Sequence, residues 1–221
     1  MIWAFGVSVA VIYLNSLPVG GGAADEPPIE WRDILGYVIF AIGCIFEIGG
    51  DLSKSAFRAD KKNSGKVCNT GLWGITRHPN FFGEMMVWWG IFVACTPAFE
   101  ASGYSAGYAT VASPVLTMLI LLFLSGVPSA EGSAWGRYTK QEGYRAVILD
   151  YIESVPPVIP FPPPLYRVLP GWFKALFCCE FSMYQPPSEE EDEQARAKDR
   201  LKKGGGGHGS GDQDGEDGEH G

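Results

Sequence analysis

Four apolar segments constrain this chain more than any other feature of its sequence. They cover residues 2–19, 34–52, 81–98 and 113–130. A helix needs roughly 20 mainly apolar residues to cross the hydrocarbon core of a membrane, and each segment approaches that length. Helices of soluble proteins are rarely apolar on every face. We therefore predict an all-α integral membrane bundle with about four transmembrane helices.

The first segment has a second interpretation, because a secretory signal peptide also places an apolar run at the N-terminus. Residues 2–19 lack a basic stretch ahead of the apolar run, and that run is long for a signal peptide. We favour a spanning helix and keep the signal peptide as the alternative.

The loops differ in charge in a way that predicts orientation. The link between the first two segments is acidic, and the link at 99–112 has no Lys or Arg. The loop between the second and third segments is basic, with Lys54, Arg58, Lys61, Lys62, Lys66 and Arg77. Basic loops stay cytoplasmic, so we expect loop 53–79 and everything after residue 130 to be cytosolic. The expected membrane is the endoplasmic reticulum or another endomembrane.

The C-terminal part changes composition twice. Residues 164–184 mix aromatic, aliphatic and basic residues, which predicts an amphipathic segment lying on the bilayer. We assign residues 1–184 to the membrane domain. Residues 185–221 form an acidic, Gly-rich tail with almost no apolar side chain, so we expect it to be disordered. The tail is a candidate contact for a protein partner, and we expect no nucleic-acid partner.

A polar stretch leads directly into the third apolar segment. Pro79 suits the first turn of a helix, and Asn80 and Glu84 then share one face. Free backbone N–H groups at that helix start, beside Arg77 and His78, predict a site for phosphates. Glu84 would then accept hydrogen bonds from a ligand or pair with Arg77. The alternative is structural, with Arg77 and His78 as an interfacial anchor and Glu84 paired across helices. Ionisable groups in membrane segments are usually functional, which favours the first interpretation.

A second polar group ends the preceding helix. Glu47, Asp51 and Lys54 fall on one helical face, and Arg58 follows one turn later. A salt-bridge ladder at the helix end is the structural alternative. Because one basic loop joins the two polar groups, we predict a single cavity for a phosphate-bearing cofactor. Outside the Gly-rich tail, the chain has neither a G-x-G-x-x-G motif nor a P-loop, so residues 1–184 encode no Rossmann or Walker site.

These motifs resemble a known family. The stretches DLSKSAFR, NTGLWGITRHPNFFGEMMVWWGIF and SGVP, with a downstream Tyr-Arg, are similar to the uncharacterised branch of the steroid 5-alpha-reductase C-terminal superfamily. That superfamily also includes isoprenylcysteine carboxyl methyltransferases. The resemblance covers roughly residues 1 to 160. It implies a multi-helix membrane protein with its cofactor in a cytosol-facing cavity.

The resemblance also implies roles for individual residues. In the reductases the cofactor is NADPH, and the matching contact positions here are Asp51, Arg58, Asn80 and Glu84. His78 belongs to the R-H-P form of the motif, which in the methyltransferases helps to hold S-adenosylmethionine.

Other positions depart from the family pattern or match it loosely. Tyr138 lies in the region that closes over the cofactor, and Phe81 stands where the family usually has tyrosine. Family members usually carry further helices before the point where this chain begins. In the steroid reductases those helices supply the groups that polarise the enone, so we expect only the cofactor half of the site here.

The leading hypothesis is therefore a membrane-bound, NADPH-dependent reductase. Its substrate would be a lipid or sterol-like molecule with a carbon–carbon double bond conjugated to a carbonyl. Arg77 and Arg58 would hold phosphates, and Glu47 is the best local candidate for the acid that polarises the carbonyl. The alternatives are an S-adenosylmethionine-dependent methyltransferase and a non-catalytic membrane protein that retains the cavity. We predict no metal site.

Overall fold

The computed structural model describes residues 8, 12, 28–101, 103, 105–141 and 143–204, and the described residues form helices and no strand. Apart from Ser8 and Ile12, the first apolar segment lies outside the described residues. The chain divides into two compact units, Met1–Tyr184 and Gln185–Gly221. In the described ranges, the stretches Trp31–Ala59, Pro79–Ala101 and Ser105–Tyr138 are long and apolar enough to cross a membrane. This confirms the prediction of an all-α membrane bundle.

The helices of the first unit follow one another through short turns. Helix α1 is Trp31–Ala59, and α2 is Pro79–Ala101. Short 3₁₀ turns at Lys61–Asn63 and Gly71–Gly74 lie between them. The third apolar stretch contains a 3₁₀ segment Ser105–Val111, α3 Ala112–Leu119 and a π-helical turn Ile120–Leu124. The remaining helices are α4 Val127–Tyr138, α5 Tyr144–Ser154, α6 Pro163–Val168 and α7 Gly171–Cys178, followed by a 3₁₀ turn Ser182–Tyr184.

Glycines set the distance between α1 and α2. The three buried residues of α1 are Gly36, Gly43 and Gly50, which recur every seven residues. A Cβ added at Gly43 would lie 2.6 Å from the backbone nitrogen of Val87, and one added at Gly83 would lie 2.3 Å from the backbone nitrogen of Glu47. Small residues allow such close backbone approach in membrane helix pairs, and a seven-residue repeat keeps one seam facing the partner. The two helices therefore pack with their backbones in close contact along their length.

The two helices run antiparallel. Gly36 near the start of α1 meets Ala94 near the end of α2, whereas Gly50 meets Pro79 at the start of α2. Beyond Gly36, Arg32 donates to Glu100 at 2.7 and 2.5 Å. This exposed ion pair marks one end of the pair. The opposite end, around Gly50 and Pro79, carries the polar stretch that precedes α2 and the cavity described below.

A proline-rich stretch holds the residues just before α2. Prolines exclude regular helix from residues 155–162, because each lacks a backbone N–H. The backbone of this stretch instead forms hydrogen bonds with the loop that precedes α2. Arg77 donates its N–H to the Pro156 carbonyl at 2.8 Å, and Phe161 donates its N–H to the Ile75 carbonyl at 3.0 Å. The Thr76 hydroxyl adds a bond to the Val158 carbonyl at 2.8 Å. These bonds fix the backbone that presents Arg77 and His78.

The second unit corrects one expectation. Residues 189–204 form helix α8, Glu189–Gly204, where the sequence predicted disorder. Its residues have high helix propensity, and its first turn is acidic, with Glu189, Glu190, Glu191 and Asp192, which suits the positive end of the helix dipole. The composition argument considered only burial and missed this local preference. The rest of the tail, residues 205–221, lies outside the described residues.

Candidate functional site

A cavity lies where the end of α1, the start of α2, α4 and α5 meet. Its enclosed volume is about 180 Å³, below the roughly 300–1,000 Å³ typical of small-molecule sites, and it is partly open to the outside. The residues on its wall include members of both polar groups that the sequence singled out. The polar and aromatic members used below are Lys54, Arg58, Trp73, Arg77, His78, Asn80, Glu131, Arg137 and Tyr138.

Arg77 is the buried centre of a charge network. Its side chain is only 2% exposed. One terminal nitrogen donates to Glu131 at 3.1 Å, and the other donates to both oxygens of Glu180 at 3.0 and 2.8 Å. Burial opposes its charge, but the two carboxylates more than offset this and hold the pKa of Arg77 above its usual value. The alternative pairing of Arg77 with Glu84 is wrong, because Glu131 and Glu180 take that place.

This network changes the interpretation of Arg77. A buried guanidinium must be paired, since an uncompensated charge in a low-dielectric interior is costly. Both terminal nitrogens are already bonded to carboxylates, so they are not presented to a ligand phosphate. Arg77 instead joins α4 and the C-terminal segment to the start of α2.

His78 belongs to the same network. Its Nε2 lies 2.6 Å from Oε1 of Glu131, and its ring stacks on Phe81 with centroids 5.2 Å apart. Burial lowers the pKa of His78, and the hydrogen bond to Glu131 offsets this only in part. The ring is therefore neutral at neutral pH and donates its Nε2–H to the carboxylate.

Three other cations on the wall are not neutralised in this way. Within the part of the chain that the structure describes, Lys54, Arg58 and Arg137 form no ion pair with a carboxylate. The ammonium of Lys54 sits 3.7 Å from the centroid of the Trp73 ring. Trp73 is itself fixed by an Nε1–H bond to the Gly50 carbonyl at 2.9 Å. The wall therefore carries surplus positive charge.

Two buried polar atoms on the wall lack a protein partner. The Nε of Arg77, a donor, and the Oδ1 of Asn80, an acceptor, are buried without a hydrogen bond among the described residues. Buried polar groups are normally satisfied. Of the two, the Oδ1 of Asn80 is the candidate contact for a ligand donor, since Arg77 is already held by Glu131 and Glu180.

The structure places the predicted residues in two groups. Arg58, Arg77, His78, Asn80 and Tyr138 line the same cavity. The other three do not line it. Glu47 and Glu84 are partly buried at the seam of α1 and α2, where the backbone of Glu47 meets Gly83, and Asp51 is exposed. The proposed roles of these three carboxylates stay predictions.

The sequence did not predict two charged residues of the wall, Glu131 and Arg137, which lie on α4. It also did not predict Glu180, which follows α7 and pairs with Arg77 without lining the cavity. On α4 the helical spacing of Ala130, Ala134 and Arg137 was a usable signal, since it places small residues and one cation on a single face. No comparable signal exists for Glu180.

Comparison with known proteins identifies the family but no characterised member. No curated protein and no solved structure was found to match the chain. Residues 1–149 match the family described as "Protein of unknown function (DUF1295)". This range covers α1, α2, α3 and α4, and with them nearly all of the cavity wall. The chain belongs to this family of unknown function.

Proposed function

We propose that this protein is a membrane-bound, NADPH-dependent reductase. Its substrate would be a lipid or sterol-like molecule with a carbon–carbon double bond conjugated to a carbonyl. The observation that carries the proposal is the surplus positive charge of a cavity at the end of an apolar helix bundle. The resemblance to the steroid 5-alpha-reductase superfamily supports the same assignment.

The residues of the cavity suit a phosphorylated dinucleotide. Arginine and lysine are the usual partners of phosphate oxygens, so Lys54, Arg58 and Arg137 would bind the phosphates of NADPH. Tyr138 offers an aromatic surface for a ring of the cofactor. The Oδ1 of Asn80 would accept a hydrogen bond from a cofactor amide or hydroxyl. Because a dinucleotide is larger than the enclosed space, part of it would extend through the open side.

In this proposal the cofactor and the protein have different roles in the reaction. When bound, NADPH supplies the hydride that reduces the β-carbon of the conjugated double bond. Arg77 and His78 hold the cavity wall in place through Glu131. Glu47 is the sequence's candidate for the acid that polarises the substrate carbonyl, but it lies at the seam of α1 and α2 and does not line the cavity, so this role stays a prediction. The bundle supplies access from the bilayer for an apolar substrate.

The cavity's charge argues against the methyltransferase alternative. S-adenosylmethionine carries a sulfonium cation, which a wall with surplus Lys and Arg would repel. Glu131, the acidic residue on the wall, is already bonded to Arg77 and His78. His78, which the resemblance assigns to S-adenosylmethionine, is engaged in the same bond.

Orientation follows from the charge of the loops. Loop 53–79 is basic, so the cavity end and the C-terminal segment are assigned to the cytosol by the rule that basic loops stay inside. We propose the endoplasmic reticulum or another endomembrane as the location, where cytosolic NADPH reaches the cavity.

A ligand-protection screen tests the proposal. The purified full chain is melted with NADPH, NADH or S-adenosylhomocysteine, and NADPH is expected to raise the melting temperature most. Arg137→Gln, which removes a cation from the cavity wall, should reduce this protection. Protection by S-adenosylhomocysteine alone would favour the methyltransferase. Protection by no ligand would favour a non-catalytic protein.

A further inference from the structure

Helices α6 and α7 leave five large apolar side chains exposed. These are Leu165, Val168, Trp172, Leu176 and Phe177, which we name the C-terminal apolar patch. Their exposed fractions range from 53% for Phe177 to 78% for Val168. A concentration of exposed apolar side chains in two short neighbouring helices marks an interaction surface.

The inward side of the same two helices packs against the rest of the first unit. Tyr166 and Cys178 are almost completely buried. The Tyr166 hydroxyl donates to Glu180 at 2.5 Å, and Glu180 pairs with Arg77 at 2.8 Å. Because this side is fixed, the patch is held facing outward rather than being free to fold inward.

The attachment also sets the level of the patch relative to the membrane. Shortly after α7, Phe181 packs on Phe123 with ring centroids 5.0 Å apart, and the Tyr184 hydroxyl bonds the Leu122 carbonyl. Leu122 and Phe123 lie in the π-helical turn that ends the more apolar part of the stretch Ser105–Tyr138. The helix breaks at residues 125–126, and the polar α4 follows. The segment is thus attached where the spanning stretch leaves the hydrocarbon core.

The neighbouring surface is one that lipid covers. Phe123 and Leu124 are exposed on the third spanning stretch, and Phe181 lies against Phe123. Tryptophan is enriched at the boundary between headgroups and acyl chains. Lys174 and Arg167, on the same two helices, keep positive charge beside the apolar residues, with Lys174 4.4 Å from the Tyr166 ring centroid. This combination is typical of an interfacial helix.

We propose that the C-terminal apolar patch inserts into the headgroup–acyl boundary of the bilayer, in the leaflet at the cavity end of the bundle. The segment that carries Glu180 is then held from two sides. Its inner side is bonded to Arg77 and Tyr166, and its outer side is anchored in lipid. This role does not depend on which cofactor the cavity binds.

Tryptophan quenching in lipid nanodiscs tests the proposal on the full chain. The emission of Trp172 is obtained as the difference between the wild type and Trp172→Phe. We expect lipids brominated near the headgroup to quench this emission and aqueous iodide to leave it largely unquenched. Trp135→Phe provides the control, because Trp135 lies on the polar α4 and its difference emission should not respond to brominated lipid.

Two results would overturn the proposal. Quenching of Trp172 by iodide and not by brominated lipid would place the patch in water. Protection from both quenchers would mean that protein, such as a second copy, covers it. If Trp172→Phe alters folding, the emission of a second patch position is obtained as the difference between Leu176→Trp and the wild type, and the same criteria apply to it.

Discussion

Removing Glu180 tests whether the buried charge network holds the C-terminal segment. The change Glu180→Ala removes the carboxylate that accepts from Arg77 at 2.8 and 3.0 Å and from Tyr166 at 2.5 Å. Hydrogen bonds to charged groups contribute about 1.5–3 kcal/mol each, and breaking a buried ion pair costs about 3–5 kcal/mol. Because Arg77 keeps its bond to Glu131, we expect a cost at the lower end of this range, a decrease of about 3 kcal/mol in the free energy of unfolding.

The free energy of unfolding is measured by titration with SDS in mixed micelles. Asp150→Ala is the matched control, since it removes the exposed Arg167–Asp150 pair, whose side chains are 50% and 66% exposed. Exposed pairs contribute about 0–1 kcal/mol. If Glu180→Ala costs no more than Asp150→Ala, the network does not hold the segment and the reasoning fails.

Two further predictions concern the helix seam and pH. Gly43→Ala should destabilise the protein, because the added Cβ would meet backbone atoms of α2 at 2.6 Å. The control Gly49→Ala should be neutral or stabilising, because its Cβ would lie 3.4 Å from the Leu72 side chain. Equal melting temperatures of the two variants would contradict the close packing of α1 on α2. Burial lowers the pKa of His78 in the folded protein. The neutral ring therefore contributes to stability above its unfolded pKa of about 6.5, and this contribution is lost as the pH falls below that value. The wild type should therefore lose more thermal stability between pH 7.5 and 5.5 than His78→Gln does, and equal losses would refute this.

The spans could be predicted from the sequence because hydropathy acts locally. Each apolar stretch must satisfy its backbone within its own helix, so length and composition suffice for α1 and α2. The seam between α1 and α2 was not predicted, although the seven-residue recurrence of Gly36, Gly43 and Gly50 was a usable signal for it. The helix α8 needed a different local argument, from propensity and end charges rather than from burial.

The partners of the buried arginine could not be predicted in the same way. Glu131 and Glu180 lie 54 and 103 positions from Arg77 in the chain. No helical or strand periodicity links positions that far apart, and the chain offers 25 acidic residues. The pairing depends on the folded position of the loop between α1 and α2, which hydrogen bonds to the proline-rich stretch hold in place. Motif reasoning therefore located the cavity, but assigned Arg77 a ligand where the fold gives it carboxylates.

The most direct test of the proposed function is the effect of cavity charge on NADPH affinity. Equilibrium titration of the purified full chain with NADPH is compared for the wild type, Arg137→Gln and the control Arg167→Gln, which removes a cation outside the cavity. We predict saturable binding that Arg137→Gln weakens by about tenfold, the equivalent of about 1.4 kcal/mol, and that Arg167→Gln leaves unchanged. Absence of NADPH binding, or equal affinity in the two variants, would contradict the assignment of the cavity to a phosphorylated dinucleotide.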